Sequence, residues 1–284
     1  MKNATDEQLA KQAARGDRDA MSRLISRYEG WVFNLTHRML WNRDAALDCT
    51  QDTLLRMVIR LQSFEGNSAF STWLYRIAVN EVLMWKRKSR AELGINNFEC
   101  YGRCIEEMPP TDLPEATPER AALIEEARIG CTMGMLLCLT RKQRVTYVLG
   151  EIFGLSDTVC AEVLELSPAT FRKRLSRSRK QLHDFLEGHC SLVNPDNPCR
   201  CAHKTAEFIR LGIVDKEHLQ FVSSQVERVR DVAMSGRRTF DQLLGQGIGR
   251  LYRDHPYFPA PDMVSKLKTL ITHPQFLEML DLEI

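Results

Sequence analysis

This sequence of 284 residues has little net charge, few histidines, no long apolar run and no internal repeat. Lys and Arg number 39 against 37 Asp and Glu, a formal net charge of +2. At that balance no global field draws the protein to nucleic acid, so any such affinity must come from local patches. No apolar stretch approaches the ~20 residues that span a bilayer, which argues against a membrane-spanning helix. Met1-Lys2-Asn3-Ala4-Thr5-Asp6-Glu7 lacks the apolar core of a secretory signal. A cytoplasmic, reducing setting is therefore expected, in which the nine cysteines are thiols or metal ligands rather than structural disulfides. The seven histidines are scattered. No phosphate loop, nucleophile–base pair or metalloprotease pair is present, so no enzymatic activity is expected. The hydrophobic fraction, 44%, is ordinary for a globular chain. The length suits two or three small domains.

What the sequence does contain is concentrated in residues 70–90, F-S-T-W-L-Y-R-I-A-V-N-E-V-L-M-W-K-R-K-S-R. The stretch reads as one helix with Ser71 as its N-cap. Leu74, Ile77, Ala78, Val82 and Trp85 recur at helical spacing as a buried stripe. Arg76, Asn80, Leu83 and Arg87 follow one another on a different face. Two readings stand on these residues alone. One is an amphipathic core helix with a solvated basic end. The other is a nucleic-acid reader, because Arg and Asn can each pair with two atoms of a base edge. In that reading Lys86, Arg87 and Lys88 hold phosphates, and Trp73 offers a flat surface on which an unpaired base stacks.

The flanking segments are helical too. Residues 5–40 read as two helices broken near Gly16-Asp17, the first capped by Thr5 or Asp6 and the second started by Asp17 or Asp19. Met21, Leu24, Ile25, Tyr28, Val32, Leu35 and Met39 mark the second as core-forming. Residues 42–64 form the next helix, with Asp44, Asp48 and Asp52 four apart on one face. Like charges at that spacing cost ~0.2–0.5 kcal/mol per pair in an isolated helix. The stripe is either a solvated acidic face or a dock for a basic partner. Residues 62–69 form a polar loop.

Residues 91–119, with Pro109-Pro110, Pro114 and Pro118, read as a linker. Some ~27 residues reach ~90 Å fully extended. Two DNA sites separated by two helical turns lie ~70 Å apart. The linker can therefore join two modules on one duplex. Residues 120–187 carry a second helical module. Within it, residues 157–164, the turn Glu165-Leu166-Ser167 and a helix opening at Pro168 have the spacing of a helix-turn-helix. Such a motif enters the major groove by the first residues of its second helix. Thr170, Arg172, Lys173 and Ser176 are candidates for the groove, and Arg177 and Arg179 for phosphates.

W-L-Y-R-I-A-x-N with its basic run, preceded by Asp48-Cys49-Thr50-Gln51-Asp52-Thr53-Leu54-Leu55-Arg56, resembles region 2 of bacterial RNA polymerase sigma factors. The resemblance is to the small extracytoplasmic-function group. The second module resembles sigma region 4 through Gln143-Arg144, Gly154-Leu155-Ser156 and S-P-A-T-F-R-K-R-L-S-R-S-R. It departs from the pattern at Thr140-Arg141-Lys142 and at Asp157-Thr158-Val159-Cys160. The resemblance implies that Asp48, Gln51 and Asp52 bind the clamp helices of the largest subunit of core polymerase. It also implies that the 62–69 loop captures a base flipped from the minus-ten element, with Asn67 and Ser68 as its hydrogen-bonding groups. The second module would then read the minus-thirty-five element. The implied partners are core polymerase, promoter DNA and an anti-sigma factor, with no membrane and no required cofactor.

The expected fold is all-α. Region 2 covers residues 1–91, a linker 92–119, region 4 residues 120–187 and a helical extension residues 188–284. Beyond the two modules, His189, Cys190, Cys199, Cys201 and His203 fall within fifteen positions and can supply four tetrahedral ligands, a candidate site for zinc or another soft metal, with a redox thiol cluster and plain loop cysteines as the other readings. Their spacing matches no standard finger. Helices are expected at 215–234, 239–252 and 262–272, enough for a small domain or a cover over the sigma core that regulates it in cis. Two other functions compete. A free-standing operator-binding regulator does not need the acidic stripe, and a protein-binding module that merely keeps sigma-like surfaces does not need two basic helices.

Overall fold

A computed structural model describes residues 4–85, 97–111, 117–219, 252, 257–258 and 261–271, which are helical with no strand among them. The chain divides into two compact units. The first holds Met1–Lys86, Asp157–Pro168 and Phe258–Ile284; the second holds Arg87–Ser156 and Ala169–Tyr257. The segment beyond residue 188, expected as one appendage, thus contributes to both units.

The first unit begins with α1 (Asp6–Ala13), whose cap Thr5 forms a reciprocal capping box with Gln8. Gly16 makes the turn at a φ of 91°, which favours glycine. Asp17 then caps α2 (Arg18–Leu40) by accepting from the amides of Asp19 and Ala20 at 3.0 Å. Asn42 caps α3 (Arg43–Arg60) by accepting from the Ala45 amide at 2.9 Å. All seven apolar positions expected to face inward on α2 are buried. The α2–α3 contact also contains the Thr36 and Thr50 hydroxyls, 2.9 Å apart and paired with each other. This satisfies two polar groups inside the core.

The helix expected from residue 70 is α4 (Phe70–Met84). Its N-cap is Ala69, with no side-chain bond, and Ser71 lies in the first turn instead. The expected local cap is replaced by a distant one: the Phe70 amide donates to Glu7 of α1 at 3.3 Å. Leu74, Ile77, Ala78 and Val82 form the buried stripe. Trp85 is only half-buried, because it is the C-cap, where the helix has ended.

Two later segments return to this unit. The short α8 (Asp157–Val163) packs against α4. Helix α11 (Met263–Ile271) packs on α2 with Met263 and Leu267 fully buried. Glu29 of α2 accepts from the Met263 amide at 2.8 Å, so a carboxylate of one helix caps the first turn of another. Just before α11, Asn34 accepts from the Phe258 amide at 2.9 Å and donates to the Phe258 carbonyl at 3.1 Å. It also donates to the Gly30 carbonyl and accepts from Arg38, so both ends of this buried amide are fully used. The Phe258 ring lies 4.1 Å from the buried His37 ring.

The second unit opens with a difference. Within the expected linker lies a helix, α5 (Phe98–Glu107), capped by Asn97. Its Tyr101 and Ile105 are buried one turn apart, and the Tyr101 hydroxyl donates to the Cys131 carbonyl at 2.7 Å. In the sequence that short apolar repeat is outweighed by the surrounding glycines and prolines. Helix α6 (Pro118–Cys138) is capped by Thr117, and α7 (Arg141–Tyr147) by a Thr140–Gln143 capping box. A π-helical turn (Val148–Ile152) follows and closes at Gly154, φ 66°.

Arg144, only 3% exposed, donates to the carbonyls of Leu136, Leu137 and Leu139 and so completes the end of α6. The long α9 (Pro168–His189) buries Phe171, Leu175 and Leu182 as expected. A Cβ on Gly150 would stand 2.8 Å from Phe171, so the glycine is what admits α9. Helix α10 (Cys201–Arg210), not foreseen in the sequence, packs against α6 around Ala127, Phe208 and Val214. The helix expected over 215–234 does not begin at 215, where Asp215 instead accepts from the amides of Glu217 and His218 in a turn. Residues 220–234, and 239–251 of the next expected helix, lie outside the described residues.

Candidate nucleic-acid and polymerase interfaces

The acidic stripe is on the surface. Asp44, Asp48 and Asp52 are exposed along α3, and Gln51 beside them is half-buried. Burial pushes the Asp52 carboxyl up, Arg56 opposes that shift and Asp48 adds to it. Arg56 is also tied to Glu81 of α4 at 3.0 Å, so the pair borders the stripe beside Asp52.

The loop before α4 turns at Gly66, φ 78°. Asn67 is exposed and donates to Glu65 at 2.8 Å, while Ser68 is half-buried. Trp73 is half-buried, with its ring 5.4 Å from Phe64 and 5.6 Å from Phe70. Those rings hold one side of the indole and fix its plane, as a stacking platform requires. Asn80 is exposed. Arg76 is not a bare cation: its guanidinium lies 3.6 Å from Glu162 of α8 and 4.0 Å from Glu165. Nothing in the 70–90 stretch reveals those partners, which come from 86 and 89 positions further along. Lys86, Arg87 and Lys88 lie outside the described residues.

On α9, Thr170, Arg172, Lys173, Ser176 and Arg177 are all exposed. They occupy the first turns of the helix, opposite the buried Phe171 and Leu175. Arg179 differs, because it donates to the buried Glu151 carboxylate at 2.5 Å. It therefore serves as a strut between α9 and the π-turn, a role that the expectation of a phosphate contact missed.

The Cys/His group is only partly brought together. His189, Cys190, Cys199 and Cys201 line one cavity, joined by Cys131 of α6. His203 does not line it. It sits on α10, and its carbonyl accepts from the Thr111 amide at 2.9 Å. The His189 ring instead meets Glu106, Nδ1 to Oε1 3.0 Å. Among the described residues no group of three or more His, Cys, Asp or Glu can hold a metal ion, so the geometry gives the zinc reading no support.

Comparison with known proteins gives this geometry a context. Residues 24–92 match the sigma-70 region 2 family, and residues 129–182 match sigma-70 region 4. The extracytoplasmic-function sigma factor SigW of Bacillus subtilis is 30% identical over 186 residues, 62% of this chain and 95% of that protein. This chain belongs to the extracytoplasmic-function sigma factors. The sigma-E factor of Escherichia coli K12 is 31% identical over 191 residues, again 95% of its length and 64% of this chain. Among solved structures, CnrH in complex with the cytosolic domain of CnrY aligns over 64% of this sigma factor and 97% of that chain, at 24% identity and a TM-score of 0.43. Promoter-directed transcription initiation is the function these family matches carry. Residues beyond 182 lie outside both. No described helix is long and apolar enough to cross a membrane.

Proposed function

We propose that this sigma factor docks core polymerase through Asp48, Gln51 and Asp52. In this reading the 62–69 loop and α4 open the minus-ten element, and the start of α9 anchors the minus-thirty-five element. The observation that carries it is the exposure of three carboxylates on α3 within the region 2 match. A solvated acidic face is common. One that coincides with the family's polymerase-binding motif, on a chain that also has an exposed basic helix, favours docking.

The segment that returns from the C-terminal side acts in cis. Phe258 and α11 are held on α2 by Asn34, Glu29 and His37, within the unit that contains both α3 and α4.

The test is reconstituted transcription with sigma-free core polymerase on genomic fragments of the source organism. Promoter-specific transcripts are expected, falling at least tenfold when Asp48 and Asp52 are both changed to Lys. Binding to DNA without core, and no transcripts with it, would move the protein to the operator-binding class. Phe258→Ala tests the cis arm without removing the α10 contacts of the second unit. A change in transcript yield with an unchanged melting temperature supports that arm, and an unchanged yield removes it.

A further inference from the structure

We propose that Cys190 and Cys199 form a reversible dithiol–disulfide pair that ties the end of α9 to the loop entering α10. Cys190 is the first residue after α9, and Cys199 stands two positions before α10 begins. An isolated parallel bridge pairs the two. Backbones in such pairing lie ~4.8 Å apart, within the ~4.4–6.8 Å between Cα atoms that a disulfide spans. Paired residues also present their side chains to the same face. Accordingly both line the same cavity, and both are free thiols.

The intervening loop is already closed in the reduced state. Asn197 donates to the Glu187 carbonyl at 2.8 Å, and Arg200 donates to the Pro195 carbonyl at 2.8 Å. The chain therefore does not need to refold to bring the sulfurs together. Arg128 acts on Cys190, and Lys204 and Arg200 act on Cys199, as cations that favour thiolate. Burial outweighs them and keeps both groups mainly as thiols, so exchange is slow.

Cys199 is the more exposed of the two and is the point of first attack. Its thiolate displaces one thiolate from a low-molecular-weight disulfide and forms a mixed disulfide. Cys190 then loses its proton, attacks the Cys199 sulfur and expels the second small thiolate. The protein gives up two electrons and two protons, and the small disulfide is reduced to two thiols.

The test uses the full chain, incubated with oxidised glutathione, then alkylated and mapped by peptide mass spectrometry. A Cys190–Cys199 crosslink that dithiothreitol reverses is expected, with an upward shift in melting temperature on oxidation. Cys199→Ser should abolish the crosslink, whereas Cys100→Ser should leave it. A crosslink that joins Cys199 to Cys201 or Cys131 instead would overturn the proposal. So would glutathione adducts that never resolve, or a purified protein whose thiols are masked by bound metal.

Discussion

The two helices proposed to meet nucleic acid are built on opposite plans. α4 is apolar, with one arginine and one asparagine on its reading face, and that arginine is shared with two carboxylates. α9 is polar, with a row of exposed cations at its start and a buried carboxylate gripping Arg179 further along. On α4 the acids sit on the reader, whereas on α9 the acid sits behind it. In the proposed reading α4, which opens DNA, carries few charges among its packing residues, and α9, which anchors, is a basic rod on a hydrophobic stripe that Gly150 lets seat closely.

The sharpest way to break the comparison is to disarm α9. Arg172→Ala removes a candidate base contact. It should weaken minus-thirty-five binding by the holoenzyme roughly ten- to a hundredfold and relax base preference, given ~1–3 kcal/mol per bidentate contact. Arg177→Ala, at a candidate phosphate contact, should weaken all sequences alike and lower the salt slope by about one. Fluorescence anisotropy over a salt series separates the two. If Arg172→Ala also loses affinity uniformly, α9 holds DNA without reading it.

The next effect concerns the core beneath Phe258. His37 of α2 is 2% exposed, and burial, with Arg38 and Arg43 adding, lowers its pKa to about 3. The folded state therefore keeps it neutral while an unfolded chain protonates near pH 6.5. This penalty is absent at pH 7 and grows as the pH falls through about 6.5, reaching ~2 kcal/mol near pH 5. Glu29 and Glu81, both raised chiefly by burial, change in the opposite sense, so the contrast with a variant isolates the histidine. His37→Phe should flatten the loss of stability between pH 6.5 and 5, read by denaturant titration at each pH. An unchanged slope would place the acid sensitivity elsewhere.

How much of this was legible depends on sequence distance. The caps at Thr5 and Asp17, the buried stripe of α2 and the exposed start of α9 are local patterns, and local patterns are what a sequence displays. The misses are long-range. Glu7 substitutes for a Ser71 cap from 63 residues away, and Asn34 holds Phe258 from 224 residues away. Cys131 of α6 joins a thiol cavity that the 189–203 pattern did not include. α5 was missed because its single turn of buried apolar residues is outweighed, in composition, by the prolines that follow it.

The smallest effect decides whether α4 is restrained. The Arg76 pairs with Glu162 and Glu165 are substantially exposed on both sides, and exposed pairs contribute about 0–1 kcal/mol. They cannot lock the helix, but a contribution of that size still competes with a phosphate or base edge for the same guanidinium. Glu162→Gln with Glu165→Gln should therefore leave the melting temperature within a degree or two and raise open-complex formation by about two- to fivefold. The gain should shrink as salt rises, because screening weakens the competing carboxylates. Permanganate footprinting of the minus-ten element, compared with the parent at two salt concentrations, reads both. A gain that does not depend on salt would mean the acids act through packing of α8 on α4 rather than through charge.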